Sequence, residues 1–309
     1  MRRPLPAALQ ARALRAGARI GIAAPAGAVD PERLEAGEEA LRRLGFEPVR
    51  RGDLTARAGY LAGDDERRAA ELAELIAAPD IDAIICARGG YGSSRLLAGL
   101  DAAAFRRARK PLVGYSDITA LLLWQWREAG LMGIHGPMLE REEGLSEEVA
   151  GALREALMGD LGSSRLQGRS GVGGRGQGRL LGGSLSLVTA SLGTAWEIDT
   201  RGGILLLEEV QEPPYRIDRM LEQLRAAGKL EALAGVGIGG LEGCEDPRYP
   251  ERDAEVVLRE FLDPLAVPVV FGLPFGHVQR NLCWPFGARA SLDGDRGELE
   301  LLESAVTNG

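Results

Sequence analysis

The chain is 309 residues long, enough for two domains with separate hydrophobic cores. A formal net charge of −8 and an aromatic content of 5% supply neither the basic face nor the stacking rings that nucleic-acid partners require. No run of about 18 apolar residues occurs, and Arg12, Arg15 and Arg19 interrupt any apolar leader core, so the expectation is a cytoplasmic protein without membrane contact.

Taken in order, Arg19–Gly27 reads as a buried strand ending in a turn, after which Asp30 caps a helix with Pro31 at its first position. Leu34, Ala40, Leu41 and Leu44 form that helix's apolar stripe, and Glu47–Arg51 returns as a strand. Asp64 and Asp65 open a second helix that runs to Pro79. The β-branched run Ile81–Cys86 fits a central parallel strand and ends in ARGGYGSSRLL, a glycine turn leading into a helix. PLVGYSDITALL then reads as strand, sharp bend and helix, and GIHGPM as a further strand. Strands alternating with helices imply a parallel, doubly wound sheet with its site at the strands' carboxyl ends.

Ser146–Met158 reads as a helix. The glycine-, serine- and arginine-rich stretch over 161–180 has no hydrophobic period and reads as a linker loop, and it lacks the phosphate-loop motif. The second half shows a buried strand at Ile204–Leu207 ending in Glu208 and Glu209, a helix from about Tyr215 to Ala227, and a strand at Val269–Leu273. Alternating strands over 284–302 complete a β-rich second domain. GVGIGG at 235–240 imitates a dinucleotide fingerprint but is not followed by a helix. The expected domains are 1–160 and 181–309, joined by the 161–180 linker.

The chemistry centres on the bend at Ser116. A strand-to-helix turn can hold a serine Oγ out of the sheet beside helix N-terminal amides, although Ile118 fills the second glycine position of a G-x-S-x-G elbow. The competing reading makes Ser116 or Asp117 a simple helix cap. Only His135 and His277 can serve as an imidazole base, and Glu208 or Glu209 could fix its tautomer. Cys86, Cys244 and Cys283 form no C-x-x-C pair, so no disulfide framework, thiolate metal site or cofactor is expected.

GIAAPAG, ARGGYGSSRLL, GYSDITALL, GGSLSLV, ILLLEEV with PYRIDRML, and GHVQRN followed by P-x-G together resemble the LD-carboxypeptidase (serine peptidase S66) family. That family includes muropeptide LD-carboxypeptidases and microcin C self-immunity peptidases. The resemblance implies a flavodoxin-like N-terminal domain carrying the nucleophile Ser116, and a smaller β-rich α/β C-terminal domain carrying Glu208 and the base His277. It further implies a homodimer acting on a small peptide substrate. The amides of Gly90 and Asp117 are the expected oxyanion donors, and Arg88 and Tyr91 the expected substrate contacts. Arg88 could equally form a structural ion pair, for instance with Asp117. Ser184 stands where the family commonly has asparagine, and Cys283-Trp284 is an unusual filling of the final loop.

The leading expectation is a serine carboxypeptidase that removes D-alanine from an L,D-linked muropeptide. Hydrolysis of a microcin C-like peptidyl-nucleotide is the alternative, with the 163–179 loop, Trp196 and Trp284 touching the nucleotide. A cysteine amidotransferase using Cys86 with His135, and a two-lobed ligand-binding module, are the readings from other classes.

Overall fold

The computed structural model describes residues 6–141, 144–160 and 164–308. The chain divides into two compact units, the first comprising Met1–Gly162, Leu282–Gly287 and Ser304–Gly309, the second Ser163–Asn281 and Ala288–Glu303.

In the first unit the strands are β1 (Arg19–Ala23), β2 (Glu47–Arg50), β3 (Ala83–Cys86), β4 (Leu112–Gly114) and β5 (Gly133–His135). They lie parallel in the order β2-β1-β3-β4-β5, the two-one-three-four-five winding of a flavodoxin-like sheet. The helices are α1 (Pro31–Arg43), α2 (Asp65–Ala77), α3 (Ala102–Ala108), α4 (Thr119–Trp124) and α5 (Glu147–Met158). Their starts obey local chemistry. The Asp30 carboxylate accepts the amides of Glu32 and Arg33, Asp64 accepts that of Arg67, and Ser146 that of Val149. Ile20, Ile22, Ile84, Ile85 and Val113 fill the sheet's centre with no measurable exposure, as expected for strands covered on both faces.

ARGGYGSSRLL leads into two short 3-10 turns, Ser93–Arg95 and Leu97–Gly99, ahead of α3. One expectation needs correction here. Residues 284–286 were expected in the second domain. Instead the strand Trp284–Phe286 pairs antiparallel with β5 in the first unit, because Trp284 and Phe286 are fully buried there and stack at 5.6 Å. Val306 likewise pairs with Ala11.

The second unit contains β6 (Arg165–Gln167), β7 (Arg169–Val172), β8 (Arg175–Ser184), β9 (Ile204–Val210), β10 (Gly235–Glu242), β11 (Val269–Phe271), β12 (Arg289–Asp293) and β13 (Glu298–Leu301). Their order is β6-β13-β12-β8-β9-β10-β11-β7. The four central strands β8 to β11 run parallel, with antiparallel strands at either side. Helices α6 (Leu185–Ala190), α7 (Pro214–Ala226) and α8 (Ala254–Leu262) complete the unit; nothing in the sequence reading had placed α8. Among the described residues no helix is long and apolar enough to cross a membrane.

The expected 161–180 linker is the largest departure. Residues 161–163 lie outside the described residues, but 165–184 form β6, β7 and β8. The glycines that suggested a loop are there because other backbone occupies their side-chain space. A Cβ on Gly176 would sit 1.8 Å from Ala234 O, on Gly178 2.5 Å from Gly202 O, and on Gly182 1.8 Å from Leu206 O. Close backbone approach is one of the few reasons for glycine inside a strand. GVGIGG is explained in the same way. It forms buried β10, where a Cβ on Gly237 would meet Leu206 Cδ2 at 2.6 Å and one on Gly239 would meet Phe275 O at 2.6 Å.

Gly182→Ala is therefore expected to lower stability by about 3 kcal/mol or more, since a backbone carbonyl and a φ of +134° both oppose the methyl. Gly99→Ala, with open space around its Cβ, should change stability by less than about 0.5 kcal/mol. Urea denaturation of the two variants checks the contrast.

Candidate active site

Ser116 stands at the carboxyl end of β4 with φ +61°. A left-handed non-glycine residue costs roughly 1–2 kcal/mol and survives only where its surroundings enforce it. Here they do. Gly114 lacks the Cβ that would come within 2.7 Å of Ile118 Cγ2, so the chain reverses from strand into the 3-10 turn Ser116–Ile118 and then α4. That turn carries no side-chain cap, which disposes of the simple helix-cap reading. The Asp117 carboxylate is committed elsewhere, accepting the Ser93 amide at 2.8 Å, while Ser93 Oγ donates to the Asp117 carbonyl at 2.7 Å. These bonds tie the glycine turn after β3 to the serine turn after β4.

The same tie places Gly89 beside the serine, where a Cβ would stand 3.1 Å from Ser116 Oγ. Gly90 follows with φ +100°, a conformation that suits glycine. Among the described residues, the Gly90 and Asp117 amides donate to no acceptor. Arg88 does not pair with Asp117. Its Nη1 donates to Ala28 O at 2.8 Å and lies 3.4 Å from Glu140 Oε1. Tyr91 is half exposed and meets Tyr60 edge to face at 5.7 Å.

In the second unit the two glutamates at the end of β9 diverge, as neighbours on a strand must. Glu209 accepts the Ser186 amide at 2.7 Å and the Val210 amide at 3.0 Å, so it serves the start of α6. Burial pushes its carboxyl above the usual range. Glu208 lies next to Ser184 of β8, where the register between β9 and β10 shifts. Such irregularities re-aim side chains. Its carboxylate is fully buried, and Oε2 lies 2.7 Å from His277 Nδ1 and accepts the His277 amide at 3.2 Å.

An ionised carboxylate can only accept, so this contact places the proton of a neutral His277 on Nδ1 and leaves Nε2 as the basic nitrogen. The approach depends on Gly276, with φ +94°, because a Cβ there would be 2.6 Å from Glu208 Oε2. Asn281 closes the turn by accepting the Gly276 amide at 2.9 Å on Oδ1, a positioning role that the sequence reading did not assign. The imidazole is 21% exposed, and so is accessible to a reacting group.

The sequence profile of the LD-carboxypeptidase N-terminal domain matches residues 20–136, and that of the C-terminal domain matches residues 177–292. The murein tetrapeptide carboxypeptidase of Pseudomonas aeruginosa is 35% identical over 292 residues, 90% of this chain and 94% of its own. The chain belongs to the LD-carboxypeptidase family. It is a serine-type carboxypeptidase. Among solved structures, the muramoyltetrapeptide carboxypeptidase from Oxalobacter formigenes superposes with a TM-score of 0.81 at 31% identity, covering 92% of this chain and 97% of the other. MccF in complex with glutamyl sulfamoyl guanosine gives 0.87 at 26% identity, covering 97% and 100%.

The cysteine reading finds no support. Cys86 is fully buried in β3, and its thiol is pushed far up by that burial; an inert thiol of this kind is no nucleophile. His135 lies two strands away on β5, fully buried and stacked 4.7 Å from Trp284. Trp284 and Cys283 are core residues of the first unit, not a surface for substrate, which removes Trp284 from the expected nucleotide contacts. Trp196 remains half-buried. Among the described residues no group of three or more His, Cys, Asp and Glu side chains could hold a metal ion.

Two outcomes are expected. In the folded enzyme Cys86 and Cys283 resist iodoacetamide and become labelled only in urea, as read by peptide mass spectrometry. In ¹⁵N spectra of histidine-labelled protein, neutral His277 carries its proton on Nδ1, and Glu208→Ala abolishes that preference.

Proposed function

We propose that this protein removes the terminal D-alanine from an L,D-linked muropeptide during peptidoglycan recycling, acting in the cytoplasm as a homodimer. Ser116 is the nucleophile, His277 the general base and Glu208 the carboxylate that orients the imidazole. The observation that carries the reading is the 2.7 Å contact between His277 Nδ1 and a fully buried Glu208. It fixes the tautomer that a serine hydrolase requires. The relatives named for murein tetrapeptide and muramoyltetrapeptide cleavage support the choice of substrate.

In this mechanism His277 Nε2 takes the Ser116 hydroxyl proton as Oγ attacks the scissile carbonyl. The oxyanion is received by the Gly90 and Asp117 amides. The imidazolium, stabilised by Glu208, returns the proton to the departing amine as the C–N bond breaks and D-alanine leaves. Water, deprotonated by His277, then hydrolyses the acyl-enzyme ester. Arg88 and Tyr91 contact the substrate. A left-handed Ser116 supports the nucleophile's part, because stored strain of this kind gathers at functional turns.

The likeness to MccF bound to glutamyl sulfamoyl guanosine favours one second reading, hydrolysis of a peptidyl-nucleotide by the same residues. A purified tetrapeptide and an aminoacyl sulfamoyl nucleoside, assayed side by side by mass spectrometry, separate the two. Ser116→Ala and His277→Ala should each lower D-alanine release at least about a thousandfold, and Glu208→Gln by a comparable factor, with unchanged melting. Full turnover by Ser116→Ala refutes the assignment.

A further inference from the structure

Beside the Gly89–Gly90 turn the first unit has a cavity of about 510 Å³ that extends past Arg88 and Tyr91 to Arg57 and Tyr60, residues to which the mechanism gives no part. Its wall carries three guanidinium groups, Arg33, Arg57 and Arg88, in a protein of net charge −8. The two carboxylates nearby are already engaged. Asp30 caps α1, and Glu140, with a side chain 5% exposed, takes the Asp30 amide at 3.1 Å and faces Arg88. Arg57 makes one long bond, 3.3 Å, to Val29 O, and pairs with no carboxylate among the described residues. A guanidinium has five N–H donors in a fork shaped to a carboxylate, and most of those on Arg57 remain available.

The rim is aromatic. Tyr60 and Tyr91 meet edge to face at 5.7 Å and the Tyr91 hydroxyl interacts with Arg95, yet they stay 68% and 50% exposed, which leaves ring area that a ligand can cover. The loop that bears Arg57 and Tyr60 is held in place, since the Ala28 amide donates to Tyr60 O at 3.0 Å and the Ala62 amide to Ala26 O at 3.0 Å. The donors are thus preorganised, which lowers the cost of ligand ordering. The cavity begins at Gly90, next to the residue whose Cβ would lie 3.1 Å from Ser116 Oγ.

We propose that this pocket holds a carboxylate of the peptide substrate, gripped by Arg57 with Arg88 and covered by Tyr60 and Tyr91. The proposal rests on Ser116 being the nucleophile. The carboxylate can belong to the departing residue or to a γ-linked glutamate within the peptide, and the substrate series distinguishes them.

The test uses full-length protein, Arg57→Ala and Arg57→Lys, with the tetrapeptide, its C-terminal amide and its glutamate α-amide. Arg57→Ala should raise KM for the tetrapeptide about tenfold to a hundredfold and move kcat far less. Arg57→Lys should recover only part of this, because an ammonium lacks the planar fork. The effect should vanish for whichever amide removes the carboxylate that the pocket reads. An equal effect on all three peptides, or none, overturns the proposal. Calorimetry with Ser116→Ala protein keeps the two readings separate. Tetrapeptide binding that weakens on adding Arg57→Ala upholds the pocket even if the wild type releases no D-alanine. Turnover that is indifferent to Arg57 sinks the pocket alone.

Discussion

A carboxylate removed entirely from water depends on the donors it finds; Oε2 of Glu208 is answered by one residue twice, through the backbone amide and the ring of His277, while Oε1 has no partner among the described residues. Much of the second unit's local geometry follows from this pairing. Gly276 must lack a side chain for the turn to come close enough, Asn281 must hold that turn closed, and the strand register must shift where Glu208 sits. One oxygen of the carboxylate thus sets both the position of the imidazole and the identity of its protonated nitrogen.

The first unit solves a different problem, exposing a hydroxyl at the end of a buried strand. The solution is conformational. Ser116 takes a left-handed backbone, and the strain is tolerated because Gly114 leaves room for Ile118 and because Ser93 and Asp117 are mutually bonded. Gly89 and Gly90 then bring bare backbone up to the hydroxyl. A side chain at Gly89 would occupy the space where a reacting carbonyl must enter, so these glycines are constrained by access as much as by turn geometry.

The strands and helices of the first unit were legible because their signals are local. Asp30 with Pro31, Asp64 and Ser146 announce helix starts, and the β-branched run ending at Cys86 announces a central strand. Ser116, Glu208 and His277 stood out because each ends an apolar run or sits in a glycine frame. Residue pattern alone left Glu208 and Glu209 open, since the choice depends on which face of β9 meets the His277 turn; only the family resemblance pointed to Glu208. β8 was not legible, because its glycines carry no hydrophobic period and are explained only by the carbonyls of Ala234, Gly202 and Leu206 that pass over them. Arg57 and Tyr60 escaped notice for a similar reason. They lie in an aperiodic loop, and only the fold brings them to the cavity beside Gly90.

The return of Leu282–Gly287 and Ser304–Gly309 to the first unit bears on how the protein is made. A ribosome that has released only the first 160 residues has produced a sheet whose β5 edge is bare, because its covering strand, Trp284–Phe286, follows only after most of the second unit. An uncovered edge invites pairing with other chains. The nascent first unit therefore waits, incomplete, through synthesis of the whole second unit, and a truncation at the natural-looking boundary near residue 160 yields a sticky fragment, not an independent domain.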